Sequence, residues 1–260
     1  MKYKTISISS ENDVCTVVLN RPDIHNAMNE EMIKELIHCF SNLSTDPTTR
    51  IIILTGNGSS FCAGADLHWM KRMVSYSQEE NLKDSTLLLT LYETIFSCPK
   101  PIIGKINGNA FGGGIGLVAV CDITITRPGS QFAFSEVKLG IIPAVISSYV
   151  SSRLSSADMR RLFLTGERFD AEYACKVGLI DYVVPDTDLD SKVQFYVSLL
   201  RSSGPDAMRE IKHLLTNLQK MERETYKKST VKTIAKLRVS QEGQEGITAF
   251  LEKKKPYWSK

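Results

Sequence analysis

Gly108-Asn109-Ala110-Phe111-Gly112-Gly113-Gly114-Ile115-Gly116 is the stretch on which the fold of this chain turns. It follows Pro101–Ile106, which reads as a strand, and it opens an apolar helix over Leu117–Cys121. A glycine loop between a strand's end and a helix's start leaves backbone N–H groups without intrahelical partners. They face the place where open α/β sheets bind ligands. The arrangement occurs once earlier. Gly56-Asn57-Gly58-Ser59-Ser60-Phe61-Cys62-Ala63-Gly64-Ala65-Asp66-Leu67 follows the wholly apolar run Ile51–Leu54 and enters a helix at about Asp66. Small residues at Cys62–Ala65 let a backbone approach a ligand closely. Two such N–H groups on one oxygen make an oxyanion hole.

Outward from these loops, the first half alternates strands and helices. Thr5–Ser9 and Val14–Leu19 form a hairpin around Glu11-Asn12-Asp13, and Met1–Ile6 already alternates like a strand, so no secretory leader is expected. Asn29–Ser44 has helical apolar spacing with Asn29 as N-cap. A long helix runs from Ser77 to Ser97, and Ile123–Thr126 is a further strand. This alternation predicts an α/β core with a largely parallel sheet. The second half reads as helices over Ser156–Leu164, Ala171–Val177, Ser191–Ser202, Pro205–Gln219 and Thr225–Ser240, with Ile180–Val184 extended. The chain divides into an α/β core over 1–185 and a helical C-terminal region over 186–260.

The third informative segment is Phe132-Ala133-Phe134-Ser135-Glu136-Val137-Lys138-Leu139-Gly140-Ile141-Ile142-Pro143. A carboxylate in such apolar company is desolvated, which raises its pKa and suits it to proton transfer. Taken alone, a lone glutamate is more often an exposed residue of an amphipathic turn. Gly114-x-Gly116-x-x-Ala119 mimics a dinucleotide fingerprint, but it is not the first βα turn and no ribose-binding acid follows.

Composition removes other classes. The 260 residues are 42% hydrophobic and 23% charged with net charge +3, too small for a nucleic-acid binder, and no basic stripe interleaves with aromatics. No apolar stretch is fit to span a membrane. Six cysteines without CxxC spacing read as buried small hydrophobes of a reducing, cytoplasmic compartment, not as zinc ligands. His25, His38, His68 and His213 show no metal spacing; His68, beside the first glycine loop, is placed to touch substrate. Lys253-Lys254-Lys255 reads as a solvated tail or as a contact to an anionic ligand.

These pieces, in order, resemble the crotonase, or enoyl-CoA hydratase/isomerase, superfamily. The set runs from Asn20-Arg21-Pro22 and Asn26-Ala27-Met28 through Phe61–Leu67, Lys100-Pro101, Gly108, Gly112–Gly114, Cys121-Asp122-Ile123 and Ser135-Glu136. It continues with Leu164-Thr165-Gly166, Ala171, Gly178-Leu179-Ile180 and Phe250–Lys253. Each piece is modest and the ordered set is specific. The resemblance implies a spiral of ββα turns closed by C-terminal helices that form a homotrimer or a dimer of trimers. It implies an oxyanion hole from the N–H groups of Ala65 and Gly113, with Glu136 moving protons. Coenzyme A would lie along Ala63, Ala65, Asp66, Leu67 and His68, flanked by Ala27, with C-terminal lysines near its phosphates. Coenzyme A enters as part of an acyl-CoA thioester substrate, and no metal or prosthetic group is implied.

One departure matters. Family hydratases of the two-glutamate type carry a glutamate two residues after the triple glycine, where this chain has Gly116. A narrower likeness, in Asp66–Met73, Gly112–Leu117 and Leu139–Ser147, is to bacterial methylglutaconyl-CoA hydratases, whose substrate bears a distal carboxylate that Arg72 or Lys71 would pair with. Glu79, Glu80 and Asp84 stand as stand-ins for the missing carboxylate. The leading expectation is a 2-enoyl-CoA hydratase. The alternatives are a single-glutamate enoyl-CoA isomerase, a non-catalytic acyl-CoA binder and, weakest, a dinucleotide-dependent reductase.

Overall fold

The computed structural model describes residues 3–259, apart from the side chain of Gln219. Met1 and Lys2 of the first expected strand lie outside the described residues. The chain enters through a hairpin of β1 (Ile6–Glu11) and β2 (Val14–Leu19), turned by Asn12 at φ 55°. Helix α1 (Glu30–Thr45) follows, its first turn capped by the Asn29 side chain, which accepts from the Met32 N–H. Three similar turns come next. Each has a strand in a large sheet, a three-residue strand in a small one, and then helical chain. The first is β3 (Ile51–Gly56), β4 (Ser60–Cys62), α2 (Leu67–Met73) and α3 (Gln78–Phe96). The second is β5 (Ile102–Ile106), β6 (Asn109–Phe111) and α4 (Gly113–Ala119). The third is β7 (Ile123–Thr126), β8 (Gln131–Ala133), a 3-10 turn over Ser135–Leu139 and α5 (Ala144–Val150).

Helix α6 (Ser156–Thr165), strand β9 (Phe169–Asp170), helix α7 (Ala171–Lys176) and strand β10 (Tyr182–Val183) close the spiral. The six-stranded sheet has the order β1-β2-β3-β5-β7-β10, parallel except for β1; the four-stranded sheet runs β4-β6-β8-β9, with β9 antiparallel. Ile51–Leu54 is apolar throughout because both faces of β3 are covered. Ile52 and Leu54 join the core shared with α1 and α3, through Leu36, Phe40, Leu91 and Ile95. Ile51 and Ile53 face the other way, onto Leu189, Val193 and Val197 of α8 (Leu189–Arg201).

Three further helices end the chain: α9 (Pro205–Lys220), α10 (Arg223–Arg238) and α11 (Gln241–Leu251). The buried Glu242 caps α9 by accepting the Asp206 and Ala207 N–H groups at 2.9 and 2.8 Å. These helices expose Ile211, Leu215, Leu218, Ile234, Ile247, Phe250 and Leu251.

Four features depart from expectation. The helix after the triple glycine spans Gly113–Ala119, not Leu117–Cys121, because packing holds the glycines helical despite their poor propensity. Residues 144–150, expected only as a departure from a glycine-rich turn, form α5, and residues 241–251 form α11, in which no helix was expected. The small sheet was not foreseen, its strands being too short to show a period.

Candidate active site

The two glycine loops lie side by side at the C-terminal ends of β3 and β5. A Cβ on Gly64 would come within 2.9 Å of the Phe111 carbonyl and 4.0 Å of the Gly113 nitrogen, so only glycine permits the approach. Ala65 bridges Met28 in parallel fashion. Met28 N–H donates to the Gly64 carbonyl at 2.7 Å, and Asp66 N–H donates to the Met28 carbonyl at 2.8 Å. The ladder thus uses the residues on either side of Ala65 and leaves its own N–H out. Gly112 takes φ 49° and ψ −122°, a conformation open to glycine, and donates its N–H to the Ala133 carbonyl at 2.9 Å. Gly113 is the first residue of α4, so its N–H has no intrahelical acceptor. Among the described residues neither the Ala65 nor the Gly113 N–H finds an acceptor in the surrounding loops.

Glu136 is carried to this point by the 3-10 turn that follows β8. Phe134, wholly buried against Phe163 and Phe169, anchors the turn. The carboxylate lies over Gly112: a Cβ there would be 3.0 Å from Oε1 and 3.7 Å from Oε2. Oε2 is buried and has no hydrogen-bond partner. Burial raises the pKa of this carboxyl above the ordinary glutamate value, partly offset by a hydrogen bond from its own backbone N–H. A buried acceptor left unpaired is costly and uncommon in folded proteins, and it marks a place where a ligand or water belongs.

Space for a second carboxylate is taken. A Cβ on Gly116 would fall 2.4 Å from Ile146 Cγ2 and 2.7 Å from Cε1 and Cζ of Tyr92. The expected substitutes are engaged elsewhere. Glu80 closes the capping box of α3 with Ser77, Glu79 pairs with Lys83 at 2.8 Å, and Asp84 accepts from the Trp69 indole at 3.0 Å. Tyr92 escaped sequence reasoning because it occupies one apolar position of a long helix, beside Leu91 and Ile95. Its spacing carries no sign of what it meets.

The remaining predicted residues divide. Ala27 is buried and Ala63 half-buried, its N–H donating to the His25 carbonyl at 2.9 Å. The Asp66 side chain turns inward. It accepts from the His68 and Trp69 N–H groups and pairs with Arg21 at 2.8 Å. Burial alone would push its carboxyl up, but the Trp69 N–H, the Arg21 guanidinium and the His68 N–H together hold it below the usual aspartate range. The Asp66 charge is therefore neutralised within the loop, and its backbone N–H and carbonyl are bonded to Met28 and Met70. Leu67 and His68 are exposed on the first turn of α2. Lys71 and Arg72 are exposed in its last turn, outside every ion pair among the described residues. Lys255 lies with Asp13 and Arg50 around a cavity of about 720 Å³ at the N-terminal ends of β2 and β3, the end of the sheet away from the glycine loops. No group of three or more metal-binding side chains occurs among the described residues, and no helix there is long and apolar enough to cross a membrane.

A spiral of ββα turns with paired glycine loops and a glutamate oxygen buried beside them is the pattern of a class of acyl-thioester enzymes. Residues 9–260 match the enoyl-CoA hydratase/isomerase family, and the chain belongs to that family of enzymes. A crotonyl-CoA hydratase of Syntrophomonas wolfei is 30% identical over 98% of this chain and 98% of its own length. The crystal structure of an enoyl-CoA hydratase from Shewanella pealeana superposes with a TM-score of 0.95 at 39% identity, covering 99% of this chain and 97% of the other. Pseudomonas aeruginosa AtuE superposes equally well, at 0.95, with 31% identity over 99% of this chain and all of that one. The crotonase-like spiral with C-terminal helices is thus the fold of this protein.

Proposed function

We propose that this enzyme adds water to a 2-enoyl-CoA thioester, with Glu136 as its one acid–base group and the N–H groups of Ala65 and Gly113 as the oxyanion hole. The observation that carries the reading is the buried, unpartnered Glu136 Oε2 over the glycine from which Gly113 departs. Glu136 takes a proton from water as the water oxygen bonds to carbon 3. The π electrons move through carbon 2 onto the thioester oxygen, where the two N–H groups hold the enolate. Protonated Glu136 then returns a proton to carbon 2. Coenzyme A arrives as part of the substrate, and no further group is needed for this chemistry. Ala27, Ala63, Asp66, Leu67 and His68 line its course.

For the acyl group we propose a branched acid such as 3-methylglutaconyl-CoA. Lys71 and Arg72, unpaired on α2, supply cations for a distal carboxylate, and exposed Leu139, Ile141 and Ile142 follow Glu136 as an apolar lip. The apolar faces of α9 and α11 support a homotrimer or a dimer of trimers. In such an assembly Lys255 meets coenzyme A only from another copy, since within one chain it lies at the far end of the sheet.

The filled slot at Gly116 favours a second reading, an enoyl-CoA isomerase, because a double-bond shift needs only one shuttling carboxylate. Loss of enoyl-thioester absorbance on crotonyl-CoA and 3-methylglutaconyl-CoA tests the first reading, with product analysed for oxygen from labelled water. Consumption with label incorporated supports the hydratase. Rearranged product without label replaces it by the isomerase.

A further inference from the structure

Tyr92, on α3, lies wholly buried, and its hydroxyl donates to the Gly113 carbonyl at 2.7 Å. From this contact we infer that Tyr92 is a positioning residue for the oxyanion hole, holding the Gly113 backbone so that its N–H keeps its aim. The inference rests on the proposed role of Gly113 above.

Gly112, Gly113 and Gly114 form a run with more conformational freedom than any other three residues would have. An N–H in such a run points in a fixed direction only if the chain is fastened on both sides. On one side the Gly112 N–H is bonded to Ala133 at 2.9 Å. On the other, the first turn of α4 closes with the Ile115 N–H on the Gly112 carbonyl at 2.9 Å, and Tyr92 adds a bond to the Gly113 carbonyl from outside the helix. The contact is tight: a Cβ on Gly113 would be 2.9 Å from Tyr92 Oη and 2.7 Å from Met28 Cε.

The same ring explains Gly116. Residues 113 and 116 share a face of α4, and the phenol lies across both. A side chain at 116 and a phenol at 92 exclude one another. The protein lacks the carboxylate at 116 and has in its space a strut for the oxyanion donor, with Ile146 filling the rest. Burial above all, with the Glu136 carboxylate nearby, pushes the phenol pKa well above its ordinary value, so Tyr92 stays a neutral donor.

The test compares two CoA ligands of equal chain length by calorimetry: acetoacetyl-CoA, whose acidic carbon 2 lets it enolise, and S-butyl-CoA, a thioether with no carbonyl oxygen. Wild type is expected to prefer the enolate. In Tyr92→Phe the preference should shrink about tenfold, a misaimed contact being worth up to about 10²-fold, while the S-butyl-CoA affinity stays unchanged. Equal loss for both ligands would mean a merely structural role and overturn the inference. Full preference in a folded Tyr92→Phe also overturns it while leaving the oxyanion hole intact. No preference in wild type itself removes the oxyanion hole, and the role of Tyr92 with it. Should Tyr92→Phe not fold, 3-fluorotyrosine placed at position 92 strengthens the donor. The preference must then move, and an unchanged ratio counts against the strut.

Discussion

Two glutamates of this molecule invite comparison, Glu242 buried and Glu136 half-buried with one buried oxygen, and they differ in what those oxygens meet. Glu242, among the C-terminal helices, gives each oxygen a backbone N–H at the start of α9. It satisfies donors that a helix start leaves orphaned and sits at the favourable pole of the helix dipole. Glu136, over Gly112, has an oxygen with nothing to accept from. A carboxylate taken from water costs several kcal/mol unless hydrogen bonds replace the water. Where the replacement is complete the residue is structure. Where no protein donor supplies it, as at Glu136 Oε2, the carboxyl is open to a proton or to a group brought by a ligand.

The sharpest way to break this contrast is to remove the charge from each. Glu136→Gln keeps the shape and should lower kcat on an enoyl-CoA by about 10²- to 10⁴-fold, the usual worth of a positioned acid–base group. Glu242→Ala should leave the turnover of the folded enzyme unchanged. It should cost about 1–3 kcal/mol of stability, for two part-buried backbone donors at the start of α9 left without their acceptor. Steady-state kinetics beside urea unfolding read both. An active Glu136→Gln, or an inactive but folded Glu242→Ala, would reverse the assignment.

The same contrast shows what was legible beforehand. Strands β3, β5 and β7 and helices α1 and α3 announce themselves through apolar runs, helical spacing, Asn29 and Ser77, because their signals are local. Helix α11 hides because Gly243 and Gly246 argue against a helix. They are tolerated since a Cβ at 243 would strike the Leu237 carbonyl and one at 246 the Trp258 ring. Helix α5 carries Val145 and Ile146, which favour strands, and is held helical by packing on α3 and α4. At the site, glycine loops and a glutamate in apolar company are visible as residue types. That Glu136 reaches Gly112 is tertiary and visible only in the structure; the ordered motif resemblance implied no more than that Glu136 moves protons. The tyrosine in the slot at Gly116 leaves no trace in spacing at all.

A smaller effect sharpens the account of that slot. In an open helix Gly→Ala is worth about 1 kcal/mol in favour of alanine. At Gly116 the added methyl would lie 2.4 Å from Ile146 and 2.7 Å from the Tyr92 ring. Overpacking of this kind costs about 1–3 kcal/mol, so Gly116→Ala should lower the melting temperature. Combined with Ile146→Ala the two losses should be less than additive, since the two sites share one space. A stabilised single variant would show the slot to be looser than its contacts indicate. It would then reopen the possibility that a carboxylate fits there.

The smallest effect concerns pH, and it separates the two glutamates by sign. Glu136 has its folded-state pKa raised by burial. Between the ordinary glutamate value and the raised one, the folded protein therefore binds more protons at this site than the unfolded chain does. Stability contributed by the site then falls as pH rises through that window, and above it the ionised carboxylate is a constant penalty. Glu136→Gln, which cannot ionise, should accordingly melt higher than wild type at pH 7 to 8, and the advantage should vanish as pH drops below the ordinary glutamate range. The acid limb of kcat/KM should lie above that range for the same reason, the base form being required for attack by water. Melting curves of the two proteins across pH decide it. A variant less stable than wild type at neutral pH would mean that Glu136 is held by contacts rather than strained by burial, and the difference between the two glutamates would then be one of degree.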